Sequence, residues 1–278
     1  MKQKRAAVIG FVLILVAAAG LTAQENHEKS HAQIVAEQRF ATHVQNWQRY
    51  SLTGIPLVAE RPVIDGTVGR REWFGAAKLS HIFLQGTGLA VDDKTVFYIN
   101  YTPTHLNIAF QFERPQSALK PSARDFFEIM LDHDHGHDRC LNFAHGLEDL
   151  KWNGLAPNLD RDGWAPDYDF AARTTDFGWE GEVSFAFADM PGMTSAPEPG
   201  TVWGYDFVRN EKSPYDRLAQ ISWRSAWAAT KDMAHLLFLG KPLAVKVDRV
   251  GYLPENGGSG VRMEISNFAD TAEAVELL

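Results

Sequence analysis

Residues 125–138 read DFFEIMLDHDHGHD. The first part alternates. Phe127, Ile129 and Leu131 fall on one face of an extended chain, and Phe126, Glu128, Met130 and Asp132 on the other. The second part gathers Asp132, His133, Asp134, His135, His137 and Asp138 around Gly136. A packed interior does not accept that density of charge and imidazole, so the segment is expected as a solvated loop at the end of a central strand.

Working outward, short strand-like runs recur between turn residues, at 79–84, 95–101, 105–112, 140–144, 168–174, 180–187, 202–209 and 235–239. Phe97, Ile99 and Tyr101 oppose Val96, Tyr98 and Asn100, and Val183, Phe185 and Phe187 share a face. Long amphipathic helices between these runs are missing. The pattern is therefore all-β, an antiparallel β-sandwich of jelly-roll type rather than a parallel α/β sheet. Residues 57–240 are assigned to it. Gly240 and Pro242 mark a boundary, and strand-like runs at 243–250 and 261–266 make 241–278 the expected start of a second, incomplete β domain.

Upstream, Lys2, Lys4 and Arg5 precede an apolar run over 6–23 that ends in small residues, the pattern of a secretory signal peptide. Cleavage near Ala23 is the favoured reading, and an uncleaved membrane anchor is the alternative. Either places the remainder outside the cytoplasm, secreted or periplasmic or at the cell surface. In 24–56, Phe40, Val44 and Trp47 have helical spacing, so this part is expected as a short helical linker.

The 278 residues are 45% hydrophobic and 12% aromatic, a globular composition, and the formal net charge of −8 argues against a nucleic-acid partner. Cys140 is the single cysteine, which excludes an intrachain disulfide and a CxxC motif and reads as a small buried hydrophobe.

Three groups of residues could carry chemistry. The tryptophans concentrate in the second half. Trp179 and Trp203 lie in strands and read as core, whereas Trp164, Trp223 and Trp227 are candidates for flat plates against the C–H faces of a sugar. Asp132, Asp134 and Arg209 are the candidate partners for its hydroxyls. The spacing of Asn158, Asp160, Asp162 and Asp169, with Gly163 between, matches the oxygen pattern of a calcium loop, and a plain Asp- and Gly-rich turn is the alternative. His133, His135 and His137 could converge on a transition metal, or sit idle in a solvated loop. A glycosidase would need two carboxylates across a cleft, and Glu128, Asp132, Glu180 and Glu182 are available. No GxSxG, P-loop or GxGxxG is present.

The order of landmarks resembles the family 9 carbohydrate-binding modules of the DOMON-like group. Those landmarks are Ile64-Asp65-Gly66, Trp73, TVFYINYTPTHLNIAFQF from Thr95, DFFEIMLD from Asp125, FGWEGEVSF from Phe177, WGYDFVR from Trp203, Ser222-Trp223 and Phe238-Leu239-Gly240. The resemblance spans residues 57–240. It implies an antiparallel sandwich that binds an oligo- or polysaccharide through aromatic plates, often with structural calcium. The expected protein is a secreted, non-catalytic module of an extracellular polysaccharide-degrading protein. The alternatives are a glycoside hydrolase or metal-dependent hydrolase, and a haem-binding electron-transfer domain with Met130 and His133 as available ligands.

Overall fold

Strand alternation of the kind seen at 126–132 requires two apolar faces to meet, and the chain supplies them as two sheets. The computed structural model describes residues 52–80, 82–84, 95–114, 125–148, 150–156, 163–211, 217–220, 230, 233–253 and 258–268. Their strands are β1 (Leu52–Ile55), β2 (Ala77–Leu79), β3 (Phe83–Leu84), β4 (Thr95–Tyr101), β5 (His105–Glu113), β6 (Phe126–Asp132), β7 (Cys140–Gly146), β8 (Lys151–Ala156), β9 (Tyr168–Thr175), β10 (Gly178–Ala186), β11 (Val202–Glu211), β12 (Arg217–Gln220), β13 (Ala234–Phe238), β14 (Leu243–Leu253) and β15 (Gly258–Asn267). The large sheet runs β15-β14-β1-β13-β11-β6-β7-β8, with β12 branching from β11 to β3; the small sheet runs β2-β4-β5-β10-β9. The pairs between named strands are antiparallel except β1 with β13. The expected all-β antiparallel sandwich is the fold.

Three boundaries differ from the sequence reading. β1 falls within the expected linker, and its four residues sit between β13 and β14. The hairpin of β14 and β15, expected to open a second domain, extends the large sheet: Leu52, Thr53 and Gly54 pair with Val247, Lys246 and Val245, and Ala244 joins the main core. The short β8 follows β7 where the sequence reading placed no strand. The signal segment and the proposed helix, residues 1–51, lie outside the described residues. Among the described residues no helix is long and apolar enough to cross a membrane.

The core is aromatic. Phe97, Ile99, Leu106, Ile108, Phe110 and Phe112 of the small sheet meet Phe127, Ile129, Leu131, Tyr205 and Phe207 of the large one, all buried. Phe110 is central: it stacks on Phe127 across the gap, with centroids 4.4 Å apart, and meets Trp179 edge-on at 4.7 Å. It can do so because its strand neighbour is Gly181, where a Cβ would lie 2.6 Å from the ring of Phe110 and 2.8 Å from Ala172 Cβ.

Two arginines close one end of this core. Arg209 reaches from β11 to Thr95 Oγ1 of the small sheet at 2.5 Å and to Glu211 Oε1 at 2.5 Å, with its guanidinium 5.0 Å from the Phe112 ring centre. Arg114, just beyond β5, pairs with Asp125 and lies 3.3 Å from Glu211. All four side chains are at most 1% exposed. A buried charge with its partners in place is tolerable, but one left alone is not.

On the outer side of the small sheet, the buried Glu182 carboxylate accepts the amides of Asp65 and Gly66 at 3.0 and 2.9 Å and the Trp73 indole N–H at 2.7 Å. Burial pushes this carboxyl up from its usual range, against those three hydrogen bonds. The Ile64-Asp65-Gly66 turn, Trp73 and the FGWEGEVSF strand are thus one device, which straps the entry loop over the sheet. Gly66 sits at φ +84°, with a would-be Cβ 3.1 Å from the Ala172 amide nitrogen, so no other residue fits there without strain.

Two substitutions test the core. Gly181→Ala should cost about 1–3 kcal/mol by overpacking against Phe110, and Arg209→Ala about 3–5 kcal/mol by removing one of the two cations that hold the buried Glu211 and the link to Thr95. Urea unfolding measures both, and midpoints equal to the parent protein would refute the respective contact.

Candidate functional site

The alternation that drives Phe127, Ile129 and Leu131 inward turns Phe126, Glu128, Met130 and Asp132 to the outer face of the large sheet. The register aligns this face across four strands. Glu128 stands opposite Ala144 on β7 and Val208 on β11, Met130 opposite Asn142 and Asp206, Phe126 opposite Gly146 and Asn210. Asn142 and Ala144 in turn face Gly154 and Trp152 on β8.

The polar members of this face form a chain. Asn142 Nδ2 donates to Glu128 Oε1 at 2.6 Å, and the Trp152 indole N–H donates to Asn142 Oδ1 at 2.7 Å. The Trp152 ring meets Phe126 edge-on at 4.7 Å. Asn210, 5% exposed, holds a buried Oδ1 with no hydrogen-bond partner. Below this group Met130, Cys140, Ala156, Val208 and Met233 make a separate apolar cluster. Glu128, Asn142 and Asn210 are at most 5% exposed, so they brace one another beneath the surface, and the half-buried Trp152 indole is the member of the set that a sugar ring can reach.

Trp152 is the residue that sequence reading passed over. Trp73, Trp164, Trp179 and Trp203 are all at most 3% exposed, so Trp152 is the only half-buried tryptophan among the described residues. The usable signal was the run KWNGLA: once it is a strand, Trp152 and Gly154 share the face of Asn142.

The residues expected from sequence separate. Trp164 is core, 3% exposed, its indole N–H donating to the Asp189 carbonyl at 3.1 Å and its ring 5.7 Å from Phe185, so it offers no open plate. Arg209 points inward and is committed to Thr95 and Glu211, so it is a clamp between sheets rather than a hydroxyl partner. Asp132 is fully buried, and its carboxylate accepts the Gly136 amide at 3.0 Å and the His137 amide at 3.1 Å. It organises the loop, and burial pushes its carboxyl up against those bonds. Asp134 is exposed, with Oδ1 accepting the Gly136 amide at 3.0 Å. Asp169 lies on β9, exposed, with its carboxylate taken by Arg61. Trp223, Trp227, Asn158, Asp160 and Asp162 lie outside the described residues.

The carboxylates considered for hydrolysis are divided between the two outer faces. Glu128 and Asp132 belong to the large sheet; Glu180 and Glu182 belong to the small one. Glu180 is engaged by Arg173 and Gln111, and Glu182 by Trp73 and two amides. No pair drawn from opposite sheets can flank one bond. Of the atoms considered for haem, Met130 is packed into the small apolar cluster, and His133 Nε2 donates to the Pro191 carbonyl at 2.9 Å.

Cys140, on the same outer face, is 1% exposed and its thiol is pushed up to about 12, by burial first and then by the carboxylates of Asp132, Glu128 and Asp206. The native protein at pH 8 should therefore resist a thiol-specific maleimide and label fully in guanidinium. Rapid native labelling would show that the Cys140 thiol is open to reagent.

No family model and no curated protein matches the chain. Solved structures do. A family 9 carbohydrate-binding module from Caldicellulosiruptor kristjanssonii, in complex with cellotriose, is 18% identical with a TM-score of 0.50, over 68% of this chain and 94% of that one. A glucose complex described in the same terms is 19% identical at the same TM-score, over 68% and 96%. A putative carbohydrate-binding protein from Bacteroides uniformis is 12% identical with a TM-score of 0.50, over 67% and 98%. The two sheets described above have the fold of the family 9 carbohydrate-binding modules.

Proposed function

We propose that this chain is a secreted, non-catalytic carbohydrate-binding module that serves an extracellular polysaccharide-processing protein. The observation that carries the reading is Trp152, half-buried on the outer face of the large sheet and held from below by the buried pair Asn142 and Glu128. A fixed aromatic surface is what the C–H face of a sugar ring packs against. The neighbours of this fold hold cellotriose and glucose, which makes β-linked glucose oligomers the first ligands to try. The basic start and apolar run over 1–23 support export. The calcium expectation now rests on Asn158, Asp160 and Asp162, because the Asp169 carboxylate is already paired with Arg61.

Calorimetric titration of the chain with cello-oligosaccharides and a panel of other soluble oligosaccharides, in calcium and then in EDTA, tests this. One sugar class should bind. Trp152→Ala and Asn142→Ala should each weaken it tenfold or more, about 1.4 kcal/mol, with circular dichroism unchanged. Absence of heat with every sugar in a folded sample, or binding indifferent to both substitutions, would remove this face as the site.

A further inference from the structure

The DHDHGHD loop is not absorbed by the sugar-binding reading, and the structure rearranges its histidines in a way the sequence did not suggest. His133 leaves the group: its Nε2 is tied to Pro191, and its ring stands edge-on to Trp203. His135 and His137 turn together instead, their ring centres 4.4 Å apart, and His135 lies 5.2 Å from the ring of His235. His235 comes from β13, nearly a hundred residues later in the chain. It reaches the loop because Asp132, Gly204 and His235 stand in one row across β6, β11 and β13. The middle position has no side chain, and a Cβ there would lie 3.0 Å from Asp132 Cβ and 3.3 Å from Met233 Sδ.

We propose that His135, His137 and His235 form a binding site for a late first-row divalent transition metal such as zinc. Four observations support it. First, the spacing fits. With zinc–nitrogen bonds of about 2.0–2.1 Å and the ring centre roughly 1 Å further out, two imidazoles on one tetrahedral ion lie about 5 Å apart, centre to centre. Second, His135 Nε2 is an enclosed nitrogen with no hydrogen-bond partner, which leaves it in need of something to bind. Third, Asp132 is placed to orient a ligand. Its Oδ2 is 3.3 Å from His137 Nδ1, so that nitrogen carries the proton and Nε2 keeps its lone pair, the carboxylate–histidine arrangement found behind metal ligands. Asp132 is itself pinned by the amides of Gly136 and His137. Fourth, His135 and His137 both adopt left-handed backbone, at φ +53° and +61°, an uncommon conformation for side chains other than glycine that concentrates at functional sites.

All-nitrogen donors select zinc, copper or nickel over calcium. Among the described residues no three such side chains are arranged so that they could hold an ion as they stand. Binding therefore proceeds by rotation of the imidazoles about their side-chain torsions. The site is independent of the sugar-binding reading and survives its failure.

The test is zinc titration of the metal-stripped full chain, without a polyhistidine tag, by competition against a chromophoric chelator. One zinc per chain should bind at micromolar concentration or tighter. His135→Ala and His235→Ala should each weaken it at least tenfold, and His133→Ala should leave it unchanged. His135 lies on the loop, so its variant folds even where a change at His235 in the sheet does not. Cobalt as a spectroscopic substitute should give the visible bands of a four-coordinate site in the parent protein and lose them in His135→Ala. No stoichiometric zinc, zinc affinity unaffected by His135→Ala, or loss on His133→Ala instead would overturn the proposal.

Discussion

The packing of Phe110 over Gly181 is the contact on which the two sheets depend. A sandwich holds only if its inner faces interlock at close-packed density. Here one ring bridges the gap to Phe127 while lying against the bare backbone of its neighbouring strand. The rest of the aromatic core follows around it, with Phe97, Phe112 and Trp179 edge-on to one another in the small sheet. The buried arginine clamp then closes the end where polar groups would otherwise meet that core.

That arrangement divides the chemistry of the chain. Inner faces are wholly committed to packing and to satisfied charge. The two outer faces are left, and they differ. The small sheet spends its acidic residues on internal contacts: Glu182 on the entry loop, Glu180 on Arg173 and Gln111. The large sheet carries the hydrogen-bonded run from Glu128 through Asn142 to Trp152, and at the end of the same face the histidines collect. Both proposed sites therefore belong to one surface, generated by the same alternation that builds the core.

Strand alternation made the fold class legible, because period-two burial is a local property of each strand. It was enough to place Phe127, Ile129 and Leu131 inside and to identify Cys140 as a buried hydrophobe. It also located the DHDHGHD turn, since no interior would take it. The ordered landmarks from Ile64 to Gly240 pointed to the right sandwich, and they are now explained as packing devices: Glu182 holding Gly66 and Trp73, and Gly181 seating Phe110.

Which side chains meet was decided only by tertiary structure. Arg209 and Trp164 looked available for a ligand because their chemistry suits one. Their strands and turns direct them inward, where they are consumed by Glu211 and by the Asp189 carbonyl. Trp152 looked unremarkable until β8 set it beside Asn142. His235 lies far from the loop in sequence and could join it only through the register of β13 on β11. Period and composition are carried by neighbouring residues, so the chain itself determined the sandwich and its solvated loop. Register between distant strands depends on the packing of the whole, so only the folded molecule determined which polar groups share a face.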